Sequence, residues 1–218
     1  MAHVLLSHVE YSFYFMKIGP RFKIAKRLGA PIFEKTQTPK FELSVARSAN
    51  QRRGRRPGQM SDYKRQLTEK QKMRFTYGIT EKQLRRYVDN AVEKSHQPVA
   101  VLMARLETRL DSVIYRMGLA KTRRLARQIA SHGHICVNGK KMTIPSHKVK
   151  VGDVISIREG SRQTGLFVNL GETYEATAVP SWLTYDVKKM EGAMKAEPVF
   201  TATEALFDPE QVMEYYSR

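Results

Sequence analysis

Cysteine is nearly absent from this sequence: Cys136 is the single one in 218 residues. An intramolecular disulfide framework is therefore excluded, which fits a reducing compartment. Acidic residues are also scarce, 21 Asp and Glu against 38 Lys and Arg, for a formal net charge of +17. No apolar run approaches the roughly 18 residues that a membrane span requires. The opening MAHVLLSHVEYSFYF has neither a basic stretch nor a small-residue cleavage site, so a secretory signal is not expected. Met16 begins the more ordinary MKIGPRFKIAKRLG, and residues 1–16 are set apart as an extension. Zinc-finger spacing, sustained heptads, a Gly-rich phosphate loop, paired carboxylates and a Ser/His/Asp constellation are all missing, which removes most enzyme and DNA-reader classes.

What remains is a strongly basic chain whose self-repulsion calls for a polyanionic partner. Nucleic acid is the first candidate and an anionic membrane surface the second. The density is greatest between Arg47 and Arg86, where thirteen basic residues face three acidic ones. Its centre is QRRGRRPG, with Arg52, Arg53, Arg55 and Arg56; Gly54 and Gly58 allow close backbone approach, and arginine forks suit phosphate. A solvated charged face mixes signs, and this one does not.

Residues 16–60, rich in proline and glycine, read as loop with short helical pieces. A helix is expected from Ser61 as N-cap to Gly78 as C-cap, with Tyr63, Leu67 and Phe75 at core spacing. A second starts at Thr80 and buries Leu84, Tyr87, Val88 and Val92. After Pro98 a third runs through VAVLMARLETRLDSVIYRMG to Gly118, with Leu106, Leu110, Val113 and Met117 on one face. A fourth, KTRRLARQIASHG, runs from Thr122 to Gly133. The period then becomes two: Ile135 and Val137 alternate with His134 and Cys136, Asn138-Gly139 signals a hairpin, and Val154 to Ile157 follows a turn at Gly152-Asp153. The tail from Ala196 is acidic and is expected to fold back on the basic part, with a last helix starting at Asp208-Pro209.

His132, His134 and Cys136 invite a metal reading. A structural zinc site needs four ligands, usually in pairs, and nothing else in the chain completes one. The expectation is no metal and no cofactor, with Cys136 a small buried apolar side chain.

The stretch RLDSVIYRMGLAKTRRLARQIASHGHICVNGKKMTIPSHKVKVGDVISIRE resembles the S-four RNA-binding domain. The matching elements are Arg109-Leu110-Asp111, Thr122-Arg123, Gly133-His134, Val137-Asn138-Gly139 and Val151-Gly152-Asp153. The flanks GPRFKIAKRLG, SDYKRQLTEKQKMRFTYGITEKQLRRYV and WLTYDVKKMEGAMKAEPVF are similar to the ribosomal protein S-four family of the small subunit, bacterial or organellar type. The resemblance implies an α+β fold: a mainly helical domain over 17–104, completed by 175–218, with an inserted domain over 105–174 of two helices and a small antiparallel sheet. It implies a primary binder of small-subunit ribosomal RNA that nucleates assembly of the 5′ domain. Contacts with neighbouring small-subunit proteins, notably the fifth, and with messenger RNA are further implications, as are roles in decoding accuracy and at the messenger entry channel. The location implied is the ribosome, cytoplasmic, with an organellar ribosome left open. Some members carry an N-terminal cysteine cluster for a metal centre; no cysteine precedes Cys136 here.

The residues then expected to meet RNA are Arg47, Arg52, Arg53, Arg55, Arg56, Lys64, Lys70, Lys72, Arg74, Arg85 and Arg86 in the basic belt. In the inserted domain they are Arg109, Lys121, Arg123, Arg124, Arg127, His132, His134, Asn138, Lys140 and Lys141. An RNA-modifying enzyme that uses the same module for targeting is the alternative. Arg109-Leu110-Asp111 is similar to the catalytic element of pseudouridine synthases, but only 59 residues follow Glu159, too few for such a core. A membrane-surface protein would need basic helices with exposed bulky apolar faces, and the apolar faces here are needed for a core.

Overall fold

The computed structural model describes residues 18–50, 60–168, 179–200 and 205–217. Helix α1 (Arg21–Leu28) ends at Gly29, and a single 3₁₀ turn (Glu34–Thr36) leads to α2 (Pro39–Asn50), so the region expected as loop with short pieces carries a twelve-residue helix. Ala25, Leu28, Ile32, Phe33 and Phe41 form a small core there, extended by Phe22 and Phe75.

Helix α3 (Asp62–Tyr77) begins where Ser61 Oγ accepts from Lys64 N–H, and it ends at Gly78 in the left-handed conformation, φ 60°. Helix α4 (Glu81–Lys94) opens with a reciprocal box between Thr80 and Gln83. Their core holds Met73, Tyr77, Leu84, Val88, Leu102, Leu106 and Val212. The apolar stripes differ from expectation at two positions. Tyr63 is 52 % exposed and stacks on Tyr215, 5.8 Å between ring centroids; Val92 is 59 % exposed, and Ala91 takes its place in the core. Along α3 the inward face is largely polar, with Gln66, Glu69 and Lys70 buried beside Met73 and Tyr77.

The expected third helix is broken in two. Helix α5 (Pro98–Glu107) stops at Thr108, Arg109 is extended at φ −66°, ψ 141°, and α6 (Leu110–Arg116) starts afresh. The break is held from outside: Leu110 N–H donates to His147 O, Asp111 N–H to Pro145 O and Val149 N–H to Thr108 O. These bonds to a segment some forty residues away satisfy the backbone groups that a continuous helix would have paired internally.

Helix α7 (Arg123–Ser131) is capped by Thr122 Oγ1 and closed at Gly133, φ 72°. Strands β1 (Ile135–Val137) and β2 (Lys140–Met142) form the hairpin, with Asn138 and Gly139 both at positive φ, 50° and 75°. Strand β3 (Val154–Ile157) pairs with β1, and a short helix α8 (Glu159–Arg162) follows. Strands β4 (Leu183–Asp186) and β5 (Glu191–Met194) complete an antiparallel sheet of order β2-β1-β3-β5-β4. Ile135, Val137, Ile155 and Ile157 point into the core against α6 and α7 with Leu110, Ile114, Met117 and Ile129. Cys136 lies on the opposite face, half-buried between Lys141 and Ser156, so it is not the buried filler expected.

The fold is α+β. The segment expected to return whole to the helices from residue 175 is divided: β4 and β5 join the sheet, and α9 (Pro209–Tyr216) packs on α3. Asp208 caps α9 as its sequence suggests. The tail reaches the basic part without an ion pair among the described residues. Gln66 Nε2 donates to Glu214, Tyr216 Oη donates to Glu81, and Lys70 Nζ sits 4.3 Å from the Tyr215 ring centroid.

Candidate nucleic-acid interface

The expected RNA-contacting cations fall into two groups. The first is turned inward around two buried carboxylates at the α5–α6 break. Asp111 Oδ1 and Oδ2 accept from Arg109 Nε and Nη2 at 2.9 and 2.8 Å, and Oδ2 also accepts from Arg127 Nε and Nη2 at 2.9 and 2.7 Å. Arg109 Nη1 reaches Tyr87 Oη at 2.7 Å, and Arg127 continues to the carbonyls of Gly78 and Tyr77. Burial alone would push Asp111 up; the Arg109 and Arg127 guanidinium groups outweigh it and hold it below the usual carboxylate range. Arg109, 3 % exposed, is shifted the other way: burial opposes its charge and Asp111 more than restores it.

Glu107 is the second centre. It accepts from Tyr77 Oη at 2.6 Å, from Arg116 Nε and Nη2 at 2.9 and 3.1 Å, and from Arg123 Nη2 at 3.1 Å. Burial pushes its carboxyl up, but Arg123, Arg116 and the Tyr77 hydroxyl together hold it down to about 2. Arg123 lies between the faces of Tyr77 and Tyr115, 4.5 and 4.7 Å from their centroids, and Glu34 accepts from its backbone N–H. These contacts join α3, α5, α6 and α7 into one unit.

In the basic belt, Lys70 is 4 % exposed and bonds Glu81 at 2.8 Å; Arg74 reaches the same carboxylate at 3.3 Å, and Lys72 pairs with Glu69 at 2.7 Å. Six expected contacts, Lys70, Lys72, Arg74, Arg109, Arg123 and Arg127, are thus held in protein ion pairs. Arg109, Arg123 and Arg127 are committed to the buried carboxylates of Asp111 and Glu107 and cannot leave them without stranding a charge, whereas Lys70 and Arg74 share the part-exposed Glu81.

The second group faces outward. Arg47, Lys64, Arg85, Arg86, Lys121, Arg124, Lys140 and Lys141 are exposed and make no ion pair among the described residues. Lys121 and Arg124 flank the start of α7, and Lys140 and Lys141 lie on the hairpin. The Lys141 stem crosses Gly133, where a Cβ would collide with it, so the glycine turn seats this lysine as well as ending α7. Arg52, Arg53, Arg55 and Arg56 lie outside the described residues.

The histidines divide likewise. His132 is exposed. His134 is half-buried, its Nδ1 3.0 Å from Ser161 Oγ; burial first, then His132, Arg158 and Lys141, push its pKa down, so it is neutral at pH 7. Asn138 is exposed, but its carboxamide is engaged: Nδ2 donates to Asp153 Oδ1 at 2.8 Å and Oδ1 accepts from Val154 N–H at 2.9 Å. Among the described residues no cluster of three or more His, Cys, Asp or Glu could hold a metal, and no helix is long and apolar enough to cross a membrane. Sequence reading missed Arg158, exposed at the end of β3 beside the His134 turn. It also missed the anchoring roles of Glu107 and Tyr87. The available signal was Glu107 itself, an acid in the apolar run around Leu106, which demands buried partners.

The arrangement is a packed body with internally paired charge that carries exposed cations on α4, around the start of α7 and on the hairpin. Such a surface suits the backbone of a large folded polyanion. Comparison with known proteins agrees. The family described as ribosomal protein S4/S9 N-terminal domain matches residues 16–110, and the S4 domain matches residues 108–155. A small ribosomal subunit protein uS4 of Chromobacterium violaceum is 40% identical over 205 residues, covering 92% of this chain and 98% of that protein. One from Herpetosiphon aurantiacus is 41% identical over 212 residues with the same coverage, and one from Dehalococcoides mccartyi is 44% identical over 163 residues, 75% of this chain and 79% of its own.

Proposed function

Because the chain belongs to the small ribosomal subunit protein uS4 family, we propose that it is a structural, RNA-binding constituent of the small ribosomal subunit and not an enzyme. In this reading it is a primary binder of small-subunit ribosomal RNA and nucleates assembly of the 5′ domain. It works on the ribosome in the cytoplasm, beside neighbouring small-subunit proteins that include the fifth, with further roles in decoding accuracy and at the messenger entry channel. The helical body over 17–104, together with α9, and the S4 domain with its sheet are its two RNA-facing parts.

The observation that carries the reading is the sorting of cations. Arg109, Arg123 and Arg127, paired with Asp111 and Glu107, fasten the S4 domain to the helical body through Tyr87, Tyr77 and Gly78, while Arg85, Arg86, Lys121, Arg124, Lys140 and Lys141 stand outside, free of ion pairs among the described residues. RNA phosphates meet the outer set and the undescribed Arg52, Arg53, Arg55 and Arg56. Asn138 and His134 serve by shaping the hairpin and its entry.

The test is binding to small-subunit ribosomal RNA fragments as a function of salt. Replacing Arg85, Arg86, Lys140 and Lys141 together with Ala should lower the slope of log K against log salt by roughly 3, at about 0.7–0.9 for each phosphate no longer neutralised, with an unchanged melting temperature. An unchanged slope removes this face from the interface. Equal affinity of the native protein for unrelated RNA of the same length refutes a ribosomal assignment.

A further inference from the structure

The hairpin tip carries a chemical hazard that the fold restrains. Asn138 is followed by Gly139, both are exposed, and a Cβ built on Gly139 would meet nothing within 4 Å. The backbone nitrogen of a glycine is the least hindered nucleophile a following residue can offer, because no side chain stands beside it. Attack of Gly139 N on Asn138 Cγ forms a five-membered succinimide. The Gly139 N–H proton is lost and Nδ2 departs as ammonia; water then opens the ring to aspartate or isoaspartate.

Asn138 is, however, held at three points. Its N–H donates to Val154 O at 2.8 Å, its Oδ1 accepts from Val154 N–H at 2.9 Å and its Nδ2 donates to Asp153 Oδ1 at 2.8 Å. Asp153 is fixed in turn, its Oδ2 accepting from Lys150 N–H at 2.8 Å. Any rotation that swings Cγ toward Gly139 N breaks both carboxamide bonds.

We propose that Asn138–Gly139 is a deamidation site kept closed by the Asp153 carboxylate, and that reaction there unmakes the hairpin. The product loses the Nδ2 donor and sets a new carboxylate against Asp153. In the isoaspartyl form it also inserts an extra methylene into a two-residue turn whose register depends on loop length. The site thus reports the age or heat history of the protein, and it lies beside Lys140 and Lys141. This inference does not depend on what the hairpin binds.

The test ages the full-length protein at mildly alkaline pH and follows deamidation of Asn138 by peptide mass spectrometry. The same chain unfolded in urea sets the unrestrained rate. Two net hydrogen bonds weight the closed conformer by roughly tenfold or more, so the folded protein should react at least about tenfold more slowly than the unfolded chain. Asp153→Ala removes one of the two carboxamide bonds and leaves that to Val154 N–H, so it should speed the folded reaction at least about threefold while the melting curve stays cooperative. Asp153→Asn keeps an acceptor oxygen and should fall between; it decides the matter if Asp153→Ala does not fold. Equal rates in folded and unfolded wild type, or wild-type rates in the folded variants, overturn the proposal. For the consequence, Asn138→Asp should speed amide hydrogen exchange at Val137, Lys140 and Lys141; exchange as slow as wild type would show that the hairpin survives.

Discussion

Conversion of Glu107 to Gln removes one charge from the junction and little else, because the side chain keeps its size and an acceptor for the Tyr77 hydroxyl at 2.6 Å. The magnitude follows from proton linkage. The carboxyl is held at about 2 in the folded protein against an ordinary 4.5, and each unit corresponds to about 1.36 kcal/mol, so the charged form contributes about 3 kcal/mol at neutral pH. That agrees with the ~3–5 kcal/mol typical of breaking a buried pair, here two pairs, to Arg116 and Arg123, at 2.9 and 3.1 Å. The folded pKa is depressed, so the contribution is complete above the unfolded value and is lost as pH falls from about 5 toward about 2. Urea unfolding of wild type and Glu107→Gln should therefore differ by about 3 kcal/mol at pH 7. In melting temperature the variant should fall by roughly 6–12 °C. The difference should shrink steadily in acid as wild-type Glu107 takes up its proton. Asp111, held low by Arg109 and Arg127, is present in both proteins and cancels in the comparison. A difference under about 1 kcal/mol at pH 7, or one that does not change with pH, would refute the argument that this carboxylate binds the two parts together.

Two further perturbations test the packing. A Cβ at Gly192 would lie 2.5 Å from Thr184 O and 2.9 Å from Met117 Cε, so Gly192→Ala must push β4 away from β5 or β5 away from α6. It should destabilise by roughly 1–3 kcal/mol in thermal unfolding, and a neutral result would mean that the β4–β5 hairpin is not seated as described. Tyr216→Phe removes the hydroxyl whose hydrogen bond Glu81 accepts at 2.7 Å; burial and then this contact push the tyrosine pKa up. The substitution should cost about 1 kcal/mol and make α9 the first segment to exchange its amide hydrogens; unchanged α9 protection would place its attachment elsewhere.

The elements legible in the sequence are those whose cause is local. Ser61, Thr80, Thr122 and Asp208 cap their helices through side-chain oxygens two or three residues from the donors they satisfy, and Asn138-Gly139 fixes its turn by its own φ angles. Where the cause is distant, the sequence is silent. Nothing between Glu107 and Leu110 says that the helix stops; the interruption is stabilised by His147, Pro145 and Val149. Strands β4 and β5 owe their place to β3, some thirty residues earlier in the chain. Tyr63 shows the same limit from the other side, since helical spacing assigns it a face and only the arrival of Tyr215 decides what that face meets.

The candidate interface was half legible for a related reason. A fork that matches a phosphate also matches a carboxylate, and the sequence records the fork without its ligand. Arg127 is bound to Asp111 and to the carbonyls of Tyr77 and Gly78, residues 16 to 50 positions away, whereas Arg124 in the same turn of α7 points outward. Counting all basic residues as phosphate contacts therefore inflates the expected salt dependence. The 38 Lys and Arg include cations already neutralised by Glu69, Glu81, Glu107 and Asp111. Those inner pairs matter to binding indirectly. In the proposed reading they hold the hairpin lysines and the α4 arginines on one packed body, so an RNA surface that met both would avoid the ordering cost that a loosely joined pair of domains would carry. A protein with the same outer cations and a broken Glu107 centre should retain its salt slope and lose its discrimination between folded and unstructured RNA.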